Sequence, residues 1–471
     1  MAEVKSRFAP PEVIVGNTAN LFAGLAVAPQ FFWQVLGVNW SPVRASAGIR
    51  WLDLMPAMVV LIAVGLALVP GLRRFGWLVS AVGLVGLIGL YAQDGLFSAD
   101  LLYLTLAVVL GVQLGGLLLA FAGTGAQGRW LIATGVGIGL AGGGSLLGLL
   151  GGLVTGSDAL ARYPDESVVG VSALVTVAAG VWLALRPGPS SAPGPVRARA
   201  VLVAVGVAIV VSRVLVVGWR LVLDRIGQAS TGGFSQARAE TVENLNRAVL
   251  LVIGAVVAAV LLVAAYRRGG AHLARMVVAV FAVSVVALDT GWPAVEVVSE
   301  DRGLLVEVAL LGGVLAVALV SFLDRLVPWD VVGVLVMGVG LLGSSPPSGW
   351  SAVAVVFGVA WTLTAGLARL GGTAFGWTAG GWPAGGLSRG EVGLSAVLGF
   401  ATIILCGQVF GDSGRGSPRP DGPPLDQTLT LAAVAAAAVL LILLFVRQRR
   451  VPGPAPAVPT PAAQVAEVPA G

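Results

Sequence analysis

Few residues in this chain could carry chemistry, and most of them stand at the ends of apolar runs. Asp53, Arg213, Asp289 and Glu307 each lie at or near the edge of a long hydrophobic stretch. A carboxylate partly withdrawn from water holds its proton more tightly, which makes Asp289 and Glu307 the best candidates for a proton-accessible acid or an outer gate. The plainer reading is that all four snorkel or pair locally at a membrane surface. Gln113 is the one strongly polar side chain near the middle of a run. An amide there either bridges helices or faces a cavity, and the residue alone leaves both open. Two short loops, LVPGLRRFG and FLDRLVP, place Arg73, Arg74, Asp324 and Arg325 between apolar runs.

Other chemistry is short of parts. The chain has one cysteine, Cys406, and one histidine, His272, which falls in a predicted loop. That supplies no intrachain disulfide, no CxxC metal site, no His-based metal site and no Ser-His-Asp triad. Gly142-Gly143-Gly144 sits in an apolar run and lacks the lysine of a phosphate loop. No enzyme activity, catalytic residue, metal or cofactor is expected.

The elements that must hold these residues are membrane helices. Of 471 residues, 57% are hydrophobic and 11% charged, and a soluble domain has roughly twice that charged fraction. The apolar runs approach 20 residues, about the length that crosses a ~30 Å hydrocarbon core as a helix. Backbone groups in lipid must pair internally, so spans are helices or a closed barrel. Continuous rather than alternating runs exclude the barrel.

Fourteen spans are expected, near 13–37, 51–70, 76–92, 101–123, 130–154, 167–186, 199–219, 247–266, 274–290, 304–323, 329–344, 350–370, 391–410 and 427–446. With both termini cytoplasmic, this count puts most of the 28 Lys and Arg in inside segments and most acids outside. The same rule accounts for the basic pI without nucleic acid. Lys5 is the only lysine, a bias that suggests a GC-rich bacterial genome and hence a multi-pass protein of the bacterial inner membrane. The polar start, Met1–Pro11, is not followed by a short apolar region with a cleavage site, so no removable signal peptide is expected.

The organisation reads as a cytoplasmic segment (1–12), a six-helix bundle (13–186), a Pro/Gly/Ser linker (187–198), two inserted helices (199–270) and a second six-helix bundle (271–446). The inserted pair carries a charged outer loop (220–246) in which RAETVENLNR suggests a short helix, and a Pro/Ala-rich, disordered cytoplasmic tail covers 447–471. The halves echo each other. Arg74 leads through Trp77 into one apolar run, and Arg325 leads through Trp329 into another. Parallel repeats of this kind are a transporter architecture.

On these residues the chain resembles the major facilitator superfamily, most closely its fourteen-span drug:proton antiporter branch. That family's loop pattern, Gly-x-Leu-Ala-Asp-Arg-x-Gly-Arg-Arg, keeps Arg74 and Gly76 in the first copy, with Arg73 in place of the Asp. The second copy keeps Asp324 and Arg325. Asn20 to Pro29 has the length and final proline of the branch's first-span motif, with Asn20 in place of its Asp. Trp51 matches a tryptophan common in the second span, and Gly135, Gly142, Gly148, Gly151 and Gly152 resemble the glycine-rich fifth span of exporters.

The resemblance implies a cavity lined by the first and fourth spans of each half. That nominates Asn17, Asn20, Gln30, Gln34, Gln113, Ser284, Trp361, Thr362 and Thr364 as substrate-facing. It also implies an inner-loop latch at Arg73, Arg74, Asp324 and Arg325, with the second loop the better placed because only it has a carboxylate. The expected function is export of a hydrophobic or lipid-like small molecule by alternating access within the lipid bilayer, with coupling to protons open. Two alternatives stand beside it. One is a non-transporting subunit of an envelope or secretion assembly on a transporter-like scaffold. The other is a lipid-precursor flippase or membrane transferase.

Overall fold

The computed structural model describes residues 11–37, 51–91, 99–124, 166–185, 236–289, 302–323, 326–343, 349–371 and 425–450, with parts of 128–139, parts of 207–225 and residue 402. Every regular element among them is helical. In chain order the long helices are α1 (Pro11–Gly37), α2 (Trp51–Ala67), α3 (Gly76–Tyr91), α4 (Ala99–Gly123), α5 (Glu166–Leu185) and α6 (Gln236–Asp289). They continue with α7 (Arg302–Leu323), α8 (Trp329–Gly343), α9 (Trp350–Gly371) and α10 (Leu425–Arg450). Among the described residues, four stretches are long and apolar enough to cross a membrane: Gly71–Leu90, Leu104–Phe121, Trp350–Leu367 and Thr428–Arg449. Several shorter apolar helices accompany them.

The helices start and stop where local chemistry dictates. The first arginine loop is a 3-10 turn, Pro70–Phe75, that begins on a proline and runs directly into α3. Pro328 precedes α8, where its missing N–H costs nothing. Gly349, just before α9, has φ +53°, a left-handed conformation that a side chain would resist.

Packing repeats along the chain. In the first half α2 and α3 pack on α4, α3 packs on α5, and α5 on α1. In the second, α7 and α8 pack on α9, α8 packs on α10, and α10 on α6. Small residues set these crossings, as expected where lipid removes the hydrophobic drive between helices. A methyl group on Gly116 of α4 would lie 2.2 Å from the Ser80 backbone nitrogen of α3. One on Gly333 of α8 would lie 2.3 Å from Thr362 Oγ1 of α9. Neither helix pair could approach so closely with any larger residue.

One sequence expectation is overturned. Residues 267–273 are predicted as a cytoplasmic loop holding His272. Instead α6 runs helically from Gln236 to Asp289, 54 residues, through RRGGAH. The two glycines cost about 1 kcal/mol each in a helix, but packing outweighs that. Ala265, Leu273, Ala274 and Arg275 are all buried, and Arg447 of α10 stacks on Tyr266. Gly269-Gly270 is where such a helix bends most readily. The segment expected as a short helix, RAETVENLNR, is helical and forms the start of α6.

Candidate functional site

The first helix brings its polar residues to two neighbours. Asn20 is 2% exposed, and its Oδ1 accepts a 2.9 Å hydrogen bond from Nε1 of Trp77, in the first turn of α3. About two turns further, the carbonyl of Val27 accepts a 3.2 Å bond from Nε2 of Gln113 on α4. Gln113 is fully buried, and its Oε1 has no partner. Its backbone carbonyl also accepts from Ser80 Oγ at 3.2 Å, which ties α3 into the same place. The described helical residues between 128 and 139 press on α1 from another side: a methyl on Gly24 would lie 2.8 Å from the Ile132 carbonyl.

That stretch also reaches the second half of the chain. A methyl on Gly137 would lie 3.0 Å from both Cα and Oγ1 of Thr364 on α9. Thr364 is buried, and its hydroxyl has no partner. A turn away, Trp361 donates from Nε1 to the Trp329 carbonyl at 2.7 Å and packs against the rings of Trp329 and Phe357. Thr362 bonds back to Gly358 O, and Ser284 back to Val280 O, both within their own helices at 2.7 Å. Gln113 and Thr364 therefore offer unsatisfied buried polar atoms, while Asn20, Trp361, Thr362 and Ser284 are already bonded.

The remaining nominated residues scatter. Asn17 is half-buried on α1, and Gln30 and Gln34 lie on the same helix, with side chains outside the described residues. Asp53 is in the first turn of α2 and Asp289 ends α6, again with side chains not described. Glu307 is exposed in the second turn of α7. Arg213, Asp324 and Arg325 lie outside the described residues. Arg73 is half-buried with its Nε unpartnered, and Arg74 is exposed with its guanidinium 4.5 Å from the Phe75 ring.

Sequence reasoning missed the most organised polar cluster. Arg275 on α6 and Asp330 at the start of α8 form a bidentate ion pair, Nε to Oδ2 at 2.9 Å and Nη2 to Oδ1 at 2.5 Å, each side chain 1% exposed. Arg275 Nη1 also donates to Gln448 Oε1 at 3.0 Å, and its guanidinium lies 5.2 Å from the Phe445 ring, both on α10. Asp330 Oδ1 accepts from the Val331 amide at 3.1 Å, and a carboxylate at a helix N-terminus suits the helix dipole. From α10, Arg449 donates to the Leu326 carbonyl in the loop before α8 at 2.9 Å. Three helices and a loop are locked here. The available signal was a basic residue and an acidic residue one repeat element apart, but each resembled an ordinary loop charge.

Among the described residues no group of three or more His, Cys, Asp or Glu could hold a metal.

Comparison with known proteins places this arrangement. No family model matches the sequence, and no curated protein matches it. Solved structures do. The xylose transporter XylE from E. coli, in a partially occluded inward open conformation, is similar at TM-score 0.50 and 14% identity, over 93% of this chain and 97% of that one. The human organic anion transporter MFSD10 (TETRAN) gives 0.43 at 16% identity, over 93% and 99% of the two chains. A POT family transporter in complex with a thioalcohol-conjugated peptide gives 0.48 at 13%, over 92% and 96%. At such identity the XylE likeness shows the fold alone: an all-α, multi-pass membrane fold like that of XylE.

Proposed function

We propose that this chain is a secondary transporter that exports a hydrophobic or lipid-like small molecule. It works by alternating access between two six-helix bundles, residues 13–186 and 271–446, with 199–270 as two inserted helices. In this reading both termini are cytoplasmic and the membrane is the bacterial inner membrane.

The observation that carries the proposal is the close approach of Gly137 to Thr364. It joins the halves, yet one side has no side chain and the hydroxyl on the other is unbonded. A contact made without hydrogen bonds or charges can separate at little cost, which is what a moving interface needs. The unpartnered Gln113 Oε1 supports the same reading. An unsatisfied buried polar atom costs about 1–3 kcal/mol, so a substrate that bonds Gln113 or Thr364 recovers that cost in another state. The predominance of apolar side chains among the buried residues supports a hydrophobic molecule. Proton coupling, where present, rests on Asp289 or Glu307 at the outer edge.

The test is transport in inverted vesicles against a panel of fluorescent hydrophobic compounds. Gly137→Val wedges the seam, so export is lost while expression and elution profile stay normal; Gly137→Ala shows a partial loss. Wild-type export by the valine variant would show that the seam does not move. For coupling, Glu307→Gln or Asp289→Asn abolishes pH-driven export, and wild-type export indifferent to the pH gradient removes the coupling claim.

A further inference from the structure

Two exposed apolar ridges converge on arginines where α6 meets α10. On α6, Val252, Val256, Val260 and Val263 are each about half exposed, and their spacing of three or four residues continues to exposed Arg267. On α10, Leu440 and Leu443 are exposed, and the same spacing continues to exposed Arg447. The Arg447 guanidinium sits 4.9 Å from the ring centroid of Tyr266, the residue before Arg267, so the two ridge ends are adjacent. The nearby carboxylate, Asp330, is fully buried and bound to Arg275. Among the described residues, the ion pair seen at this junction is Arg275–Asp330, which involves neither Arg267 nor Arg447.

We infer that this junction binds the headgroup of an anionic phospholipid, with its acyl chains along the valine and leucine ridges. The chemistry is complementary at both ends. A phosphodiester needs cations with free N–H groups at the membrane boundary, and arginine supplies a fork suited to phosphate. Acyl chains need an apolar surface running from that point toward the bilayer centre, which both ridges provide. Tyr266 holds the Arg447 fork through its ring face, so the cation is positioned before the lipid arrives. A zwitterionic lipid fits less well, because its amine would face the same two cations.

The experiment uses the full chain, purified in detergent, with native mass spectrometry of bound lipid. Dioleoylphosphatidylglycerol is titrated against dioleoylphosphatidylcholine, with inorganic phosphate as competitor. An arginine near the membrane surface contributes about 1 kcal/mol toward an anionic lipid, roughly fivefold in affinity. Phosphatidylglycerol therefore binds well above phosphatidylcholine. Arg447→Gln lowers its affinity about fivefold, and adding Arg267→Gln lowers it about thirtyfold in total. Arg447→Lys keeps most of the preference, which separates charge from misfolding. Millimolar phosphate does not displace the lipid, because it lacks chains for the ridges. Equal binding of the two lipids, wild-type preference in the double glutamine variant, or displacement by phosphate overturns the proposal.

Discussion

The two halves tie the same junction with different chemistry. Where the third helix of the first half begins, Trp77 donates one neutral hydrogen bond to Asn20 on α1. At the matching place in the second half, Asp330 makes a bidentate ion pair with Arg275 on α6. The neutral tie joins two helices. The ionic one recruits Gln448 and Phe445 as well, so it joins three. A single neutral hydrogen bond contributes about 1 kcal/mol net. A buried ion pair contributes little net, because desolvation cancels most of the attraction, yet breaking it by losing one partner is severe. The difference therefore concerns rigidity. The second half is held at this end in one geometry it cannot leave without exposing a charge, whereas the first half can shift at modest cost.

That contrast can be broken most sharply at Asp330. Asp330→Ala strands the Arg275 charge in an apolar site and destabilises the protein by about 3–5 kcal/mol. Thermal unfolding in detergent, followed by size-exclusion fluorescence, shows a large drop or no folded peak. The pair can then be replaced instead of broken. Arg275→Met with Asp330→Leu restores most of the lost stability, since apolar groups of similar volume often match a buried pair. If the double variant is as unstable as Asp330→Ala, the ionic tie contributes more than charge compensation.

The neutral tie gives a smaller effect. Trp77→Phe leaves Asn20 Oδ1 buried without a donor and costs about 1–3 kcal/mol. A loss equal to that of Asp330→Ala would erase the distinction between the halves. Smallest in stability is Gln113→Leu, which removes one long hydrogen bond and one unsatisfied oxygen together. Its unfolding temperature stays close to wild type, while export in inverted vesicles falls, because the substrate loses a buried acceptor.

The sequence made the apolar helices plain, since lipid leaves the backbone no alternative and hydropathy marks each run. It also suggested the internal repeat, through two loops with a following tryptophan. The continuity of α6 was hidden because RRGGAH contains every usual sign of a loop, and only packing by Ala265, Leu273 and Arg447 keeps it helical. Gln113 and Thr364 were legible as polar residues in apolar runs, although no pattern says which polar atom lacks a partner. Arg275 and Asp330 read as topology charges, because burial is set by three helices meeting and is absent from any one of them. Their partner Gln448, in the last turn of α10, lies in a stretch that composition assigns to a disordered tail.

The central claim is that the halves move against each other at the Gly137–Thr364 seam. Spin labels at exposed positions in the two loops, Arg74→Cys and Leu326→Cys with Cys406→Ser, report the separation of the halves at that end. Pulsed electron–electron resonance in lipid nanodiscs gives two distance populations for the native seam, whose ratio shifts when a transported compound is added. In Gly137→Val the shorter population is lost. One narrow distance, unchanged by any compound and by the valine, would contradict alternating access and leave the chain as a static scaffold.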